Sequence, residues 1–92
     1  MIRSFRSRSL KRLYERDDGS RINPAHLETI REILVRLDAA FRPEDMALPA
    51  YRLHHLRGRF QGFWAVTVRA NWRVIFRFEN GDAVDVDYLD YH

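Results

Sequence analysis

The chain has 92 residues, no cysteine, and a net charge of +3 from 16 Lys and Arg against 13 Asp and Glu. That length allows one domain, residues 1–92, and excludes a second; the missing cysteines exclude disulfides, thiolate metal sites and thiol nucleophiles, and nothing calls for an oxidising compartment, so a cytoplasmic protein is expected. No apolar run approaches the roughly 18 residues that cross a bilayer, and a hydrophobic fraction of 46% with six Phe, four Tyr and two Trp excludes wholesale disorder.

The segment Met1–Ser9 is rich in Arg and Ser but runs directly into an apolar pattern, so it reads as part of the fold rather than as a leader. Ile2 to Phe5 fits a short first strand. Leu10, Leu13 and Tyr14 recur at i, i+3, i+4 and predict a short helix, with Arg8, Arg12 and Arg16 along one face. Asp17-Asp18-Gly19-Ser20 ends it with turn chemistry. Asn23 is a good N-cap and Pro24 suits the first helical position. Leu27, Ile30, Leu34, Leu37 and Phe41 then form one apolar stripe, which predicts a second helix with that stripe in the core. Arg42 to Pro49 reads as a connecting loop.

After the loop the period changes to two. Trp64, Val66 and Val68 alternate with Ala65, Thr67 and Arg69. Trp72, Val74, Phe76 and Phe78 alternate with Arg73, Ile75 and Arg77. Asn80-Gly81 is a hairpin signal, because both residues tolerate positive φ, and Val84, Val86 and Tyr88 continue the alternation in a last strand. The expected architecture is α+β: two N-terminal helices covering one face of a twisted antiparallel sheet. Arg73 and Arg77 then belong on the other face. There Arg77 has two equal readings, a phosphate contact or an ion pair with Asp85 and Asp87.

Charge is segregated along the chain. Tyr51 to Phe78 contains six arginines and no acid, whereas Glu79 to His92 contains five acids and neither Lys nor Arg. An uninterrupted positive stretch carrying two histidines favours a polyanion through counterion release. His54 and His55 are adjacent on an extended segment, so their side chains point in opposite directions and only one serves any single site. His26, near the start of the second helix, is expected to be exposed and idle. A metal site would have to be drawn from His54, His92 and Asp90, and no HxH or HxxxH spacing supports one; neither a metal nor another cofactor is expected. The same residues suit RNA cleavage by attack of a 2′-hydroxyl on its own phosphate. Imidazole can take and return protons near neutral pH, and arginine can stabilise the phosphorane.

Leu53-His54-His55-Leu56-Arg57-Gly58 resembles the Leu-His-Pro-Leu-Lys-Gly segment of HigB toxins, a branch of the RelE/ParE superfamily. Gly62-Phe63-Trp64 is similar to their Gly-Tyr-Trp, and Asn71-Trp72-Arg73-Val74-Ile75-Phe76 to their Asn-Trp-Arg strand. Gly81-Asp82-Ala83 and the closing Asp90-Tyr91-His92 match in order, and the opening Ile2-Arg3-Ser4-Phe5 is similar too.

The resemblance implies a RelE-like fold and metal-independent, ribosome-dependent cleavage of messenger RNA in the A site. It also implies neutralisation by a HigA-type antitoxin, a helix-turn-helix protein. Carried over one by one, its functional residues become His54, Asp90, Tyr91 and His92, with Arg73 at phosphate. Arg57, Arg59, Arg69 and Asn71 complete the expected RNA-binding set. His55 departs from the family's Pro, and Arg57 from its Lys. Two rival readings are a non-catalytic inhibitor of DNA gyrase, as in the ParE branch, and a plain nucleic-acid-binding regulator. The terminal Asp-Tyr-His argues against the first, and the absence of a basic recognition helix against the second.

Overall fold

A computed structural model describes residues 1–91. Helix α1 covers Arg8–Arg16, with the Ser7 hydroxyl accepting from the Leu10 N–H at 3.2 Å. It stops at Asp17, whose left-handed backbone turns its N–H back onto the Arg12 and Leu13 carbonyls. Helix α2 covers Pro24–Ala39 and begins as expected, with Asn23 Oδ1 accepting from the Ala25 N–H at 2.9 Å. Short 3₁₀ turns at Pro43–Met46, Pro49–Tyr51 and Gly58–Phe60 carry the chain through the loop region. Strands β1 (His54–His55), β2 (Trp64–Arg69), β3 (Trp72–Glu79) and β4 (Asp82–Asp90) form one antiparallel sheet in that order.

The two helices cover one face of this sheet, as expected. Leu10, Leu13, Ile30, Ile33, Leu34 and Leu37 pack against Val66, Val74, Phe76 and Val86. Each such side chain contributes about 1.5–3 kcal/mol by leaving water. Ile2–Phe5 is not a strand of its own. It makes two isolated parallel bridges to β4, at Ala83 and Val86, and so caps an otherwise open edge.

Two expectations about α2 are corrected. Phe41 is exposed, because the helix ends at Ala39 and the extended Ala40 carries the chain away from the core. At the other end His26 is buried rather than exposed. Its Nδ1 is hydrogen-bonded to the Tyr88 hydroxyl, and its ring lies against Trp72 and Tyr88. The buried stripe therefore runs through His26, Ile30, Ile33, Leu34 and Leu37, beginning one residue earlier and ending one turn earlier than the apolar residues alone indicate.

The alternation is also interrupted twice. A register shift between Thr67 and Arg69 sets Arg69 opposite Trp72, whose ring is on the helix side; another between Ile75 and Arg77 sets Val84 opposite Arg77. At the second, Asp85 takes a positive φ of 54°, with its N–H donated to the Ser4 hydroxyl at 2.9 Å. Such bulges insert one residue and exchange the faces beyond them. Val84 thus leaves the face of Val86 and Tyr88, and Arg69 leaves that of Arg73.

Candidate functional site

The face away from the helices is not bare. Leu56, Phe63, Ala65 and Ile75 form a second, smaller apolar cluster, flanked by Phe60, Leu89 and Tyr91. The chemistry-bearing residues are arranged around it.

His54 lies opposite Ala65, on this face, and is exposed. His55 lies opposite Trp64 and stacks on its ring, with centroids 4.3 Å apart and planes at 19°. The two rings therefore diverge, as adjacent residues on an extended segment must. His54 Nδ1 is 3.0 Å from the Arg52 carbonyl oxygen. A carbonyl only accepts, so Nδ1 carries the proton and the neutral ring keeps its lone pair on Nε2. That is the form a general base requires.

Arg73 lies opposite Thr67 on β2 and Leu89 on β4. Its Nη1 donates to the carbonyls of Ala70 at 2.6 Å and Trp72 at 3.2 Å, both in or beside the turn between β2 and β3. No carboxylate neutralises it among the described residues. Arg77 is different. Its Nε and Nη2 donate to Asp85 at 3.1 and 2.7 Å, and Nη2 also to Glu79 at 3.0 Å. These acids, Asp85 first, raise its pKa further above the ordinary arginine value. The ion pair rather than a phosphate occupies Arg77, with Asp85 and Glu79 as partners. Asp87 accepts instead from the Tyr88 N–H.

Two inter-strand steps and two residues along β3 separate the His54 and Arg73 backbones. At about 4.8 Å per step and 3.3 Å per residue that is about 12 Å.

The end of β4 is held by the Tyr91 N–H, which donates to the Asn71 carbonyl at 2.8 Å. Here Asp90 and Tyr91 line an open groove of about 380 Å³ together with Arg57, Arg59, Phe60 and Leu89. Tyr91 packs edge-on to Phe60, with centroids 6.1 Å apart, and the Arg59 guanidinium sits 4.9 Å from the centre of the same ring. Guanidinium groups beside an aromatic ring offer phosphate and base contacts together.

Of the residues singled out in the sequence, the structure thus gathers Arg57, Arg59 and Tyr91 in one groove, which Asp90 borders from its place opposite Trp72, on the helix side of the strand end. It sets His54 and Arg73 on the same face and places Asn71 in the turn that anchors the strand end. Arg69 is turned aside. His92 lies outside the described residues. Among those described, no three His, Asp or Glu side chains gather to hold a metal ion, and no helix is long and apolar enough to cross a membrane. Phe60 was not singled out in the sequence, although its place in an Arg-Gly-Arg-Phe run was the available signal.

Comparison with known proteins agrees with this picture. Residues 3–92 match the family described as the RelE-like toxin of the type II toxin–antitoxin system HigB. The chain is 40% identical over 92 residues to Endoribonuclease HigB of Proteus vulgaris, covering all of both chains. It is 33% identical over 95 residues to Toxin HigB-1 of Vibrio cholerae serotype O1, covering all of this chain and 98% of that one. Among solved structures, a mutant of YafQ from E. coli superposes with a TM-score of 0.61 at 15% identity, over 95% of this chain and 89% of that one. The last likeness shows the shared α+β fold, and the match along nearly the whole sequence shows that the chain belongs to the HigB family of RelE-like toxins of type II toxin–antitoxin systems.

Proposed function

We propose that this toxin is a metal-independent endoribonuclease that cleaves messenger RNA in the ribosomal A site, with residues 1–92 acting as one unit in the cytoplasm. The observation that carries the reading is the shared face of His54 and Arg73. An imidazole with an available Nε2 and an arginine that meets no carboxylate among the described residues share one face, their backbones about 12 Å apart. The 2′-hydroxyl gives its proton to His54 Nε2 and attacks the adjacent phosphorus. Arg73 stabilises the charge of the phosphorane, and His92 protonates the departing 5′-oxygen. Asp90 orients an imidazole. Tyr91 stacks on a base over Phe60, and Arg57 and Arg59 hold the backbone on either side of the groove. The family relationship supplies the partner class, an antitoxin; a HigA-type helix-turn-helix protein is the specific partner proposed.

The groove is open and Arg57 and Arg59 are exposed, so the chain by itself does not fix a flexible RNA strand for in-line attack; the ribosome supplies that positioning. Purified protein added to a translating extract should therefore cut within coding regions, and the same protein should cut naked messenger RNA far more slowly. Equal rates on both at matched concentrations would refute the ribosome dependence.

A further inference from the structure

The fully buried side-chain polar atoms that lack a hydrogen-bond partner include Thr67 Oγ1 and Arg73 Nε, and these two residues are cross-strand partners. Their side chains leave β2 and β3 on the same face, where directly opposed residues have Cβ atoms about 4.5–5.5 Å apart. An unpaired buried donor is costly, and so is an unpaired buried acceptor. Here one of each faces the other across a single step of the ladder. The donor is left over because Arg73 directs Nη1 to the Ala70 and Trp72 carbonyls. Those acceptors are neutral, and an RNA phosphate competes well against them, since a charge-assisted pair is roughly twice as strong as a neutral one.

We propose that Thr67 is the positioning residue of Arg73. When the guanidinium leaves the turn carbonyls for a phosphate, Thr67 Oγ1 accepts the Nε–H. Nη1 and Nη2 then remain as a fork for two phosphate oxygens. The carbonyl-bound arrangement is the resting one, and the Thr67-bound arrangement is the working one. Thr67 touches neither substrate nor reacting atoms; it acts through Arg73. The inference rests on the phosphate role proposed for Arg73, and the test keeps the two apart.

The test is single-turnover cleavage of a reporter message on programmed ribosomes, with the full chain as wild type, Thr67→Val, Thr67→Ser, Arg73→Ala and the double variant Thr67→Val/Arg73→Ala. Valine keeps the shape of threonine without the hydroxyl. Thr67→Val should lower the saturated rate about tenfold while leaving half-saturation within about twofold. Its melting temperature should not fall, because the hydroxyl it removes is unpaired in the resting protein. Thr67→Ser should restore the rate, and Thr67→Val should cost nothing further once Arg73 is alanine. If Arg73→Ala is crippled and Thr67→Val cleaves at the wild-type rate, the positioning role is wrong and the phosphate role stands. If Thr67→Val loses rate only in proportion to a lowered melting temperature, or if serine fails to restore it, Thr67 is structural and the inference falls. If Arg73→Ala itself cleaves normally, the phosphate role fails and takes the inference with it.

Discussion

Two arginines on outward positions of one strand, with Ile75 between them, should behave very differently when removed. Arg77 has two of its nitrogens committed to Asp85 and Glu79 at 2.7 to 3.1 Å, whereas among the described residues Arg73 donates to backbone carbonyls alone. Arg77→Ala breaks an ion pair in which the Arg77 side chain is 33% exposed and the carboxylates 37% and 46%. Water can re-solvate all three groups, so the loss is about 1 kcal/mol or less, a few degrees in melting temperature for a domain of this size. No charge available to substrate is removed, and the cleavage rate should stay within about threefold of wild type. Arg73→Ala removes the cation proposed to stabilise the phosphorane. One such transition-state contact is worth about 3 kcal/mol, which at 1.36 kcal/mol per factor of ten is roughly a hundredfold in rate. Its melting temperature should barely change. Both variants are to be assayed on programmed ribosomes at saturating toxin, with calorimetric melts alongside. Equal and small losses of rate would reduce Arg73 to a generic surface charge and refute the assignment built on its partners. A larger loss for Arg77 would invert that assignment.

Deleting His92 should abolish cleavage, with melts alongside as the folding control; a folded variant that still cuts messages at the wild-type rate would remove the proposed acid. His26→Ala should lower the melting temperature by roughly 10 °C, because it strips the half-buried Tyr88 hydroxyl of its partner and opens space beside Trp72. The further loss should be smaller in a Tyr88→Phe background, and additive losses would mean that the pair is not coupled. Tyr14 donates to Asp38 at 2.6 Å, and that hydrogen bond raises the phenol from 10.0 to about 12. A raised folded-state value gives stability that is complete below pH 10 and declines as pH rises towards 12. Tyr14→Phe should therefore flatten the fall in urea midpoint between those limits, and an unchanged slope would contradict the linkage.

Local rules carried the sequence a long way. The Asn23 cap and Pro24 placed the start of α2, and positive φ at both Asn80 and Gly81 made the hairpin that an Asn-Gly pair predicts. Strict alternation put Arg73 opposite the helix face and made His54 and His55 diverge. Each of these depends on residues within a few positions of one another, where backbone sterics and side-chain period act directly. The terminal Asp-Tyr-His and the Leu-His segment were legible only through resemblance, because a carboxylate, a phenol and two imidazoles in a short chain have many uses.

The tertiary structure decided what depends on distant partners. Asp85 adopts its left-handed backbone against Ser4, 81 residues away, and the resulting bulge exchanges the faces of Val84 and Val86. No pattern within β4 announces it. His26 is buried because Tyr88, 62 residues later, supplies a hydroxyl, while Phe41 is exposed because the helix ends before reaching it. Arg73 and Arg77 are equivalent in the alternation, yet among the described residues only Arg77 meets carboxylates, since which acid stands near it across the ladder depends on register. Periodicity fixes the direction in which a side chain leaves the backbone; what it meets there is settled by the packing of strands and helices far apart in the chain.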